Sequence, residues 1–437
     1  MAVIVQKFGG TSVADVPRIF RCARRVADAR RQGHDVAVVV SAMGHTTDQL
    51  IELANAISDT PSPREMDMLM STGEQVSIAL MSMALQSLGL DAVSMTGGQL
   101  GILTDGVHSK AKIQSIDIDR IGREFKAGRI VVAAGFQGCS EDGQITTLGR
   151  GGSDATAVAL AAALGVGRNG GGGACEIFTD VDGVYTADPR LVPNARKLDR
   201  ITYEEMLELA SAGAAVMQPR SVMFGQKFDV PIHVRHSQKP DVGTIISKET
   251  KDMEDIVVAG CALKSDLGRI SLRRIPNKAG VQGMVFELIG RANIIVDDII
   301  QTTHGDLASL SFTVDHGDLA EVKIAATKAL EQLGTGELAV EIGLAKVSVA
   351  GVGMRHHSGV AATMFKALGD AGIMIANITT SDIKISCIVP KEFGEKALKV
   401  SHDAFELDKP QGMRAMGGGG SNGRPAKADR SRSGVEL

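Results

Sequence analysis

The sequence predicts an α/β chain: an open, mainly parallel sheet with helices on its faces over about the first 260 residues, followed by two smaller α+β units. Three observations carry this expectation. The apolar runs Val3-Ile4-Val5, Val36-Ala37-Val38-Val39-Val40 and Ile130-Val131-Val132-Ala133-Ala134 are short and continuous, as strands buried on both faces of a parallel sheet are. Helix-period stretches separate them, giving the βαβα order of an open sheet whose ligands sit beyond the C-terminal strand ends. Past Gly260 the chain repeats itself at a constant offset of 79: Gly280-Val281, Phe286, Gly290 and Ile294-Ile295-Val296 match Gly359-Val360, Phe365, Gly369 and Ile373-Met374-Ile375.

The first strand runs into Lys7-Phe8-Gly9-Gly10-Thr11-Ser12. Two glycines let phosphate oxygens approach backbone amides, Thr11 or Ser12 can open the next helix, and Lys7 adds a fixed positive charge. A phosphate cradle and a plain strand-to-helix turn both fit; a Walker A loop does not, because no G-x-x-x-x-G-K-[ST] occurs in the chain. The second strand ends in Ser41-Ala42-Met43-Gly44, with Thr46, Thr47 and Asp48 before a helix. Those small hydroxyls suit an oxygen-rich ligand and serve equally as N-caps. In Arg64–Glu74 the acid Glu74 can pair with a substrate ammonium or stabilise a helix N-terminus. Val76, Leu80 and Met83 fall on one helical face, and with Met66, Met68, Met70 and Met81 they read as core filler rather than a ligand set.

The segment Thr146-Thr147-Leu148-Gly149-Arg150-Gly151-Gly152-Ser153-Asp154 opens an Ala-rich helix. Arg150 offers a planar fork for a carboxylate, the glycines expose amides, Ser153 can cap, and Asp154 sits at the positive helix end; an anion-handling site is the reading favoured over a mere cap. Gly170–Gly173 reads as a surface connection from the helix Ala155–Leu164 to the strand Cys175–Phe178. The polar loop Thr179–Arg190 that follows lacks the third acid and terminal Glu of a calcium loop and can hold a nucleotide's base and ribose. No H-E-x-x-H occurs, and no metal site is expected. Each repeat reads as strand, turn, amphipathic helix and strand, either a packing unit or a paired small-molecule sensor. Beyond Leu407 the run Gly417–Gly420 and a net-basic end predict a disordered tail.

Composition sets the outer bounds. At 437 residues with 44% apolar content, the chain holds about three domains' worth of core, which excludes collagen-like and disulfide-stapled classes. A net charge of −4 from 47 basic and 51 acidic residues gives no field for nucleic acid or an anionic membrane. Small molecules and other subunits are the expected partners. Cys22, Cys139, Cys175, Cys261 and Cys387 are scattered, as buried thiols in a reducing cytosol are. With no basic n-region before an apolar stretch, and no apolar run near the roughly 18 residues of a membrane span, a soluble cytoplasmic location is expected.

Together these segments, in this order, resemble the aspartate kinases of the amino-acid kinase superfamily, over residues 3–408. The resemblance implies a three-layer αβα sandwich at 1–262, two βαββαβ ferredoxin-like ACT domains at 263–343 and 344–412, and a disordered tail at 413–437. It implies transfer of the ATP γ-phosphate, with Mg2+, to the side-chain carboxylate of L-aspartate, giving 4-phospho-L-aspartate at the entry to lysine, threonine and methionine synthesis. By the family's pattern Lys7 and Asp154 would be catalytic, Lys7 stabilising the transferring phosphoryl group and Asp154 ordering the site. Thr47, Glu74, Arg150, Gly151, Gly152 and Ser153 would bind aspartate, Glu74 taking its ammonium and Arg150 a carboxylate. Gly9, Gly10, Ser41, Thr179, Asp180, Tyr185, Asp188 and Arg190 would bind ATP. Asn277, Gln301, Thr380, Ser381 and Asp382 would face a lysine or threonine effector across an ACT–ACT homodimer or higher oligomer. The chain departs from the pattern at Ala215, where many relatives have Lys near the nucleotide, and at Asn277, where an acid is usual. The rival readings are another amino-acid kinase, for glutamate or acetylglutamate, and a silent sensor on a kinase scaffold.

Overall fold

The computed structural model describes residues 2–149, 151–167, 173–214, 216–248, 257–292 and 294–410. Arg150, Gly170–Gly172, Ala215 and the expected tail lie outside them. The main sheet has eight strands in the order Arg200–Thr202, Thr244–Ser247, Ile232–His236, Cys175–Thr179, Val3–Phe8, Asp35–Val40, Ile130–Ala134 and Ala92–Met95. All its pairings are parallel except that between Ile232–His236 and Thr244–Ser247. The three apolar runs are thus neighbouring strands, buried on both faces except at Val3 and Ile4, which are half-buried. Val36, Val38 and Val40 join a core under the helices Val16–Arg31 and Pro63–Ser87, while Ala37 and Val39 join the core under Gly152–Ala163. Period-two alternation within a continuous apolar run gives both layers a hydrophobic floor, and the expected three-layer α/β fold results. Four of the five cysteines are buried and Cys139 is half-buried; all are free thiols.

One helix departs in part from its expected facing. In Pro63–Ser87, Val76 and Met83 are 53% and 60% exposed, whereas Ser71, Gly73, Glu74, Ser77, Ile78, Met81 and Leu85 are buried. Its inward side joins Met70, Ile78, Met81 and Leu85, the expected core filler, to small and polar residues, because Gly73 must pass close to Ala42: a Cβ on Gly73 would lie 2.8 Å from the Ala42 Cβ. A smaller sheet, ordered Ile113–Ile116, Ile102–Thr104, Gln137–Cys139 and Ile145–Thr147, packs beside this helix.

The two repeats share one six-stranded sheet, ordered Asp297–His304, Leu307–Asp315, Gly260–Pro276, Glu337–Ala350, Lys384–Pro390 and Asn377–Ser381. Two strands are long enough to serve both units. The first unit takes the C-terminal part of Gly260–Pro276 and the N-terminal part of Glu337–Ala350. Register shifts between Lys264 and Arg269 mark the changeover. Residues 260–264 then pair with 346–350 as the fourth strand of the second unit, which is therefore interrupted by the first rather than following it. The first unit runs βαββαβ along the chain; the second reaches the same ferredoxin-like strand arrangement with its fourth strand supplied from ahead of the first unit, so its chain order is ββαββα.

The sheet curls until its two edge strands meet. Thr379 donates to Asp298 Oδ1 at 2.9 Å, and Lys346, 2% exposed, pairs with Asp297 and with Asp298 at 3.3 Å.

Candidate active site

Most of the predicted site residues arrive at the C-terminal ends of the parallel strands, where an open α/β sheet exposes backbone and helix N-termini to a ligand. Lys7 ends the central strand, and its Nζ lies 2.6 Å from Asp154 Oδ1 at the start of Gly152–Ala163. Both side chains keep a small exposed edge, 11% and 12%. The pair therefore sits at a cleft rather than in the core. Gly9 and Gly10 follow. A Cβ on Gly10 would lie 2.7 Å from the Ala42 carbonyl oxygen, so the turns after the first and second strands touch through backbone alone. Gly44 donates to the Gly10 carbonyl and Ser41 to that of Phe8, which locks the two turns together.

Glu74 enters this junction from below. Its Oε1 accepts the Ala42 amide at 3.0 Å, while Oε2 is buried with no hydrogen-bond partner. Burial pushes its carboxyl up to about 7, against the opposing pull of the Ala42 amide. A buried carboxylate with one open oxygen, 3% exposed, suits an ammonium ligand better than it suits an empty core. Of its two sequence readings, the helix N-terminus is excluded, since Glu74 lies mid-helix in Pro63–Ser87. Thr47 is half-buried in the first turn of Thr46–Ile57, whose Thr46 methyl faces Gly73.

Gly151, Gly152 and Ser153 form the mouth of the helix that carries Asp154; Ser153 packs against Gly135 and Gly151 against the Gln218 side chain. Arg150 lies outside the described residues. The flanking loop is held from two sides by groups that sequence reading left unassigned. Asp67, fully buried, accepts from Thr147 Oγ1 at 2.5 Å, from the Ser109 amide at 3.0 Å and contacts His108 Nδ1 at 2.7 Å. Arg220 donates to the carbonyls of Leu148 at 3.2 Å and Ala111 at 3.0 Å. The signal for Asp67 was present: a lone acid inside the apolar run Met66-Asp67-Met68-Leu69-Met70 needs partners if it is buried.

Across the cleft, Thr179 ends the strand next to Lys7. Its hydroxyl donates to Asp180, and its carbonyl accepts the Ser237 amide. Tyr185 donates to Asp182 at 2.8 Å; burial and that acid raise its phenol to about 12. Arg190 holds Asp188 through paired bonds at 2.6–3.1 Å, keeping the Asp188 carboxyl below the usual range. The loop is thereby pre-formed, with donors and acceptors along an exposed rim.

Among the described residues, the candidate effector residues make no hydrogen bond or ion pair to this site, and those of the first unit make none to those of the second. Asn277 donates to the Gly305 carbonyl and Gln301 accepts from Gln282, both in the first unit, while Thr380, Ser381 and Asp382 lie at the end of an edge strand of the second. All five are exposed.

Comparison with known proteins gives a consistent picture. The amino acid kinase family model matches residues 2–236, and an ACT domain model matches 347–405. An aspartate kinase of Stutzerimonas stutzeri (strain A1501) is 48% identical over 417 residues, spanning 95% of this chain and all of that relative. Among solved structures, E. coli aspartokinase III in complex with aspartate and ADP, in its R-state, superposes with a TM-score of 0.78 at 28% identity, covering 92% of this chain and all of that one. The same enzyme with lysine and aspartate, in its T-state, gives 0.67 at 27% identity over 92% and 99%.

Proposed function

The chain belongs to the aspartate kinases of the amino acid kinase family, and from that premise we propose that it transfers the γ-phosphoryl group of ATP to the side-chain carboxylate of L-aspartate, forming 4-phospho-L-aspartate and ADP. The observation that carries the reading is the meeting of Lys7 and Asp154 at the strand ends, beside a buried Glu74 with one unpartnered oxygen.

A carboxylate is already a nucleophile, so the reaction needs alignment and charge neutralisation rather than a general base. Lys7 supplies a positive charge whose orientation Asp154 holds, and it stabilises the phosphoryl oxygens during transfer. Gly9, Gly10 and Ser41 bring backbone close to the phosphates, which arrive with Mg2+ as part of the substrate. Thr179, Asp180, Tyr185, Asp188 and Arg190 frame the base and ribose. Glu74 takes the aspartate ammonium and Arg150 a carboxylate, with Thr47 and Gly151–Ser153 lining the pocket. The kinase domain is assigned to 1–262, less the strand residues 260–262 that pair into the second ACT unit, with the ACT units extending to 412, and the step opens lysine, threonine and methionine synthesis.

Feedback inhibition by lysine or threonine is part of the proposal. Lysine is held by the E. coli T-state relative. In this chain the repeat-equivalent Ile295 and Met374 are 85% and 81% exposed beside the edge strands, which favours a homodimer through those edges. No helix among the described residues is long and apolar enough to cross a membrane, in keeping with the proposed cytoplasmic location.

The test is ADP release from MgATP with aspartate, glutamate and acetylglutamate in turn, trapping the acyl phosphate with hydroxylamine. Aspartate-dependent hydroxamate, suppressed by lysine or threonine, is the expected result. Turnover with another acceptor, or none with any, would overturn the proposal.

A further inference from the structure

The loop Thr179–Arg190 does not end at the nucleotide rim. Thr186, one residue past Tyr185, is 0% exposed, and all its polar groups are engaged. Its amide donates to the Arg196 carbonyl and its hydroxyl accepts the Arg196 amide, both at 2.9 Å. Its carbonyl accepts the amide of Cys261 at 2.7 Å, in the strand that completes the second ACT unit. Its hydroxyl also meets Nε2 of His402 at 3.1 Å. His402 belongs to Gly394–Ala404, the last helix of that unit, and is likewise 0% exposed. On either side of Asp188, Ala187 and Val192 share an apolar core with Cys261, Val347, Leu398 and Leu407. The nucleotide loop is thus built partly inside the second ACT unit.

The acceptor side is wired differently. Among the described residues, Lys7, Thr47, Glu74 and Gly151–Ser153 make no hydrogen bond or ion pair to anything beyond residue 260. What the imidazole adds is direction, because a buried hydrogen bond fixes the Thr186 rotamer and leaves a polar group unsatisfied when broken.

Resting on the assignment of Thr179–Arg190 to the adenine nucleotide, we propose that His402 is a positioning residue of the nucleotide site. Acting through Thr186, it sets the conformation of Tyr185–Arg190. The second ACT unit therefore acts on ATP affinity and not on aspartate affinity.

The test uses the full chain with Thr186→Val, Thr186→Ser, His402→Leu and His402→Gln, reading KM for each substrate, kcat, and ADP binding by calorimetry. Thr186→Val and His402→Leu should raise the ATP KM and the ADP Kd about 5–20-fold, with the aspartate KM within about twofold. Thr186→Ser and His402→Gln should recover most of the loss. The double variant Thr186→Val/His402→Leu should be no worse than the poorer single one, as members of one contact are. Thr186→Val is nearly isosteric and carries the test if His402→Leu fails to fold. Equal rises in both KM values, additive effects, or no change while Asp188→Ala weakens ADP would overturn the proposal. Unchanged ADP binding in Asp188→Ala and Arg190→Ala would instead remove the nucleotide assignment beneath it.

Discussion

Single residues carry the chemistry. Lys7→Ala should lower kcat by about 10²–10³-fold, the usual cost of one transition-state charge partner, with the circular dichroism spectrum unchanged; near-full turnover would take Lys7 out of the mechanism. Glu74 yields a pH argument. Its folded-state value of about 7 stands above the unfolded one, near 4.3. The folded chain therefore binds the extra proton between those values, and stability falls as pH rises from about 4.3 to about 7, staying level above. Glu74→Gln should accordingly raise the melting temperature of the ligand-free protein at pH 8, with the gain shrinking towards pH 4.5. The aspartate KM should rise at least tenfold in that variant, and in the unaltered chain it should climb as pH drops below 7. The meeting of strand ends was legible where glycines stood beside a charged residue, as at Lys7–Gly10 and Gly151–Asp154, which the fold brings together. Arg220 and His402 escaped because each acts on backbone or a hydroxyl far along the chain, and no local spacing announces such a partner; Asp67 was marked only by its place in an apolar run, which names no partner.

Elements decide how those residues are aimed. The helix Tyr203–Ser211 begins with a capping box: Thr202 accepts the Glu205 amide at 3.2 Å while Glu205 accepts the Thr202 amide through Oε2. Glu205 Oε1 also takes the Val352 amide at 3.2 Å, so a helix cap doubles as a tether to the second ACT unit. Thr202→Ala should cost about 1 kcal/mol in urea unfolding with kcat unaltered; a large loss of activity would mean the tether has catalytic weight. The strands were readable because burial on both faces leaves an unbroken apolar run. The helix Pro63–Ser87 buries Met70 and Met81 as core filler but turns Val76 and Met83 outward, because the close passage of Gly73 over Ala42 and the needs of Asp67 and Glu74 take up that side.

At the scale of the whole molecule, the C-terminal half is one curled sheet closed over a buried charge. Lys346 reaches from a central strand to Asp297 and Asp298 at the edge, where Thr313 and Thr379 also bond Asp298. Lys346→Met leaves Asp298 buried without a cation and should destabilise this half by about 3–5 kcal/mol, read as an earlier thermal transition; Lys346→Met with Asp298→Asn should recover part of it. The repeat itself was visible in sequence, but not its nesting, because strand pairing between 260–264 and 346–350 depends on contacts the period of 79 does not encode. That nesting governs the order of folding. The second unit cannot pair its outer strand with its first until the intervening chain has been brought back on itself, a closure whose entropy grows with the length left loose. Once the inserted unit has formed, its two ends already lie side by side, and the long loop shrinks to little more than a hairpin. The inner unit is then the nucleus on which its host condenses, and a lesion there delays both units at once.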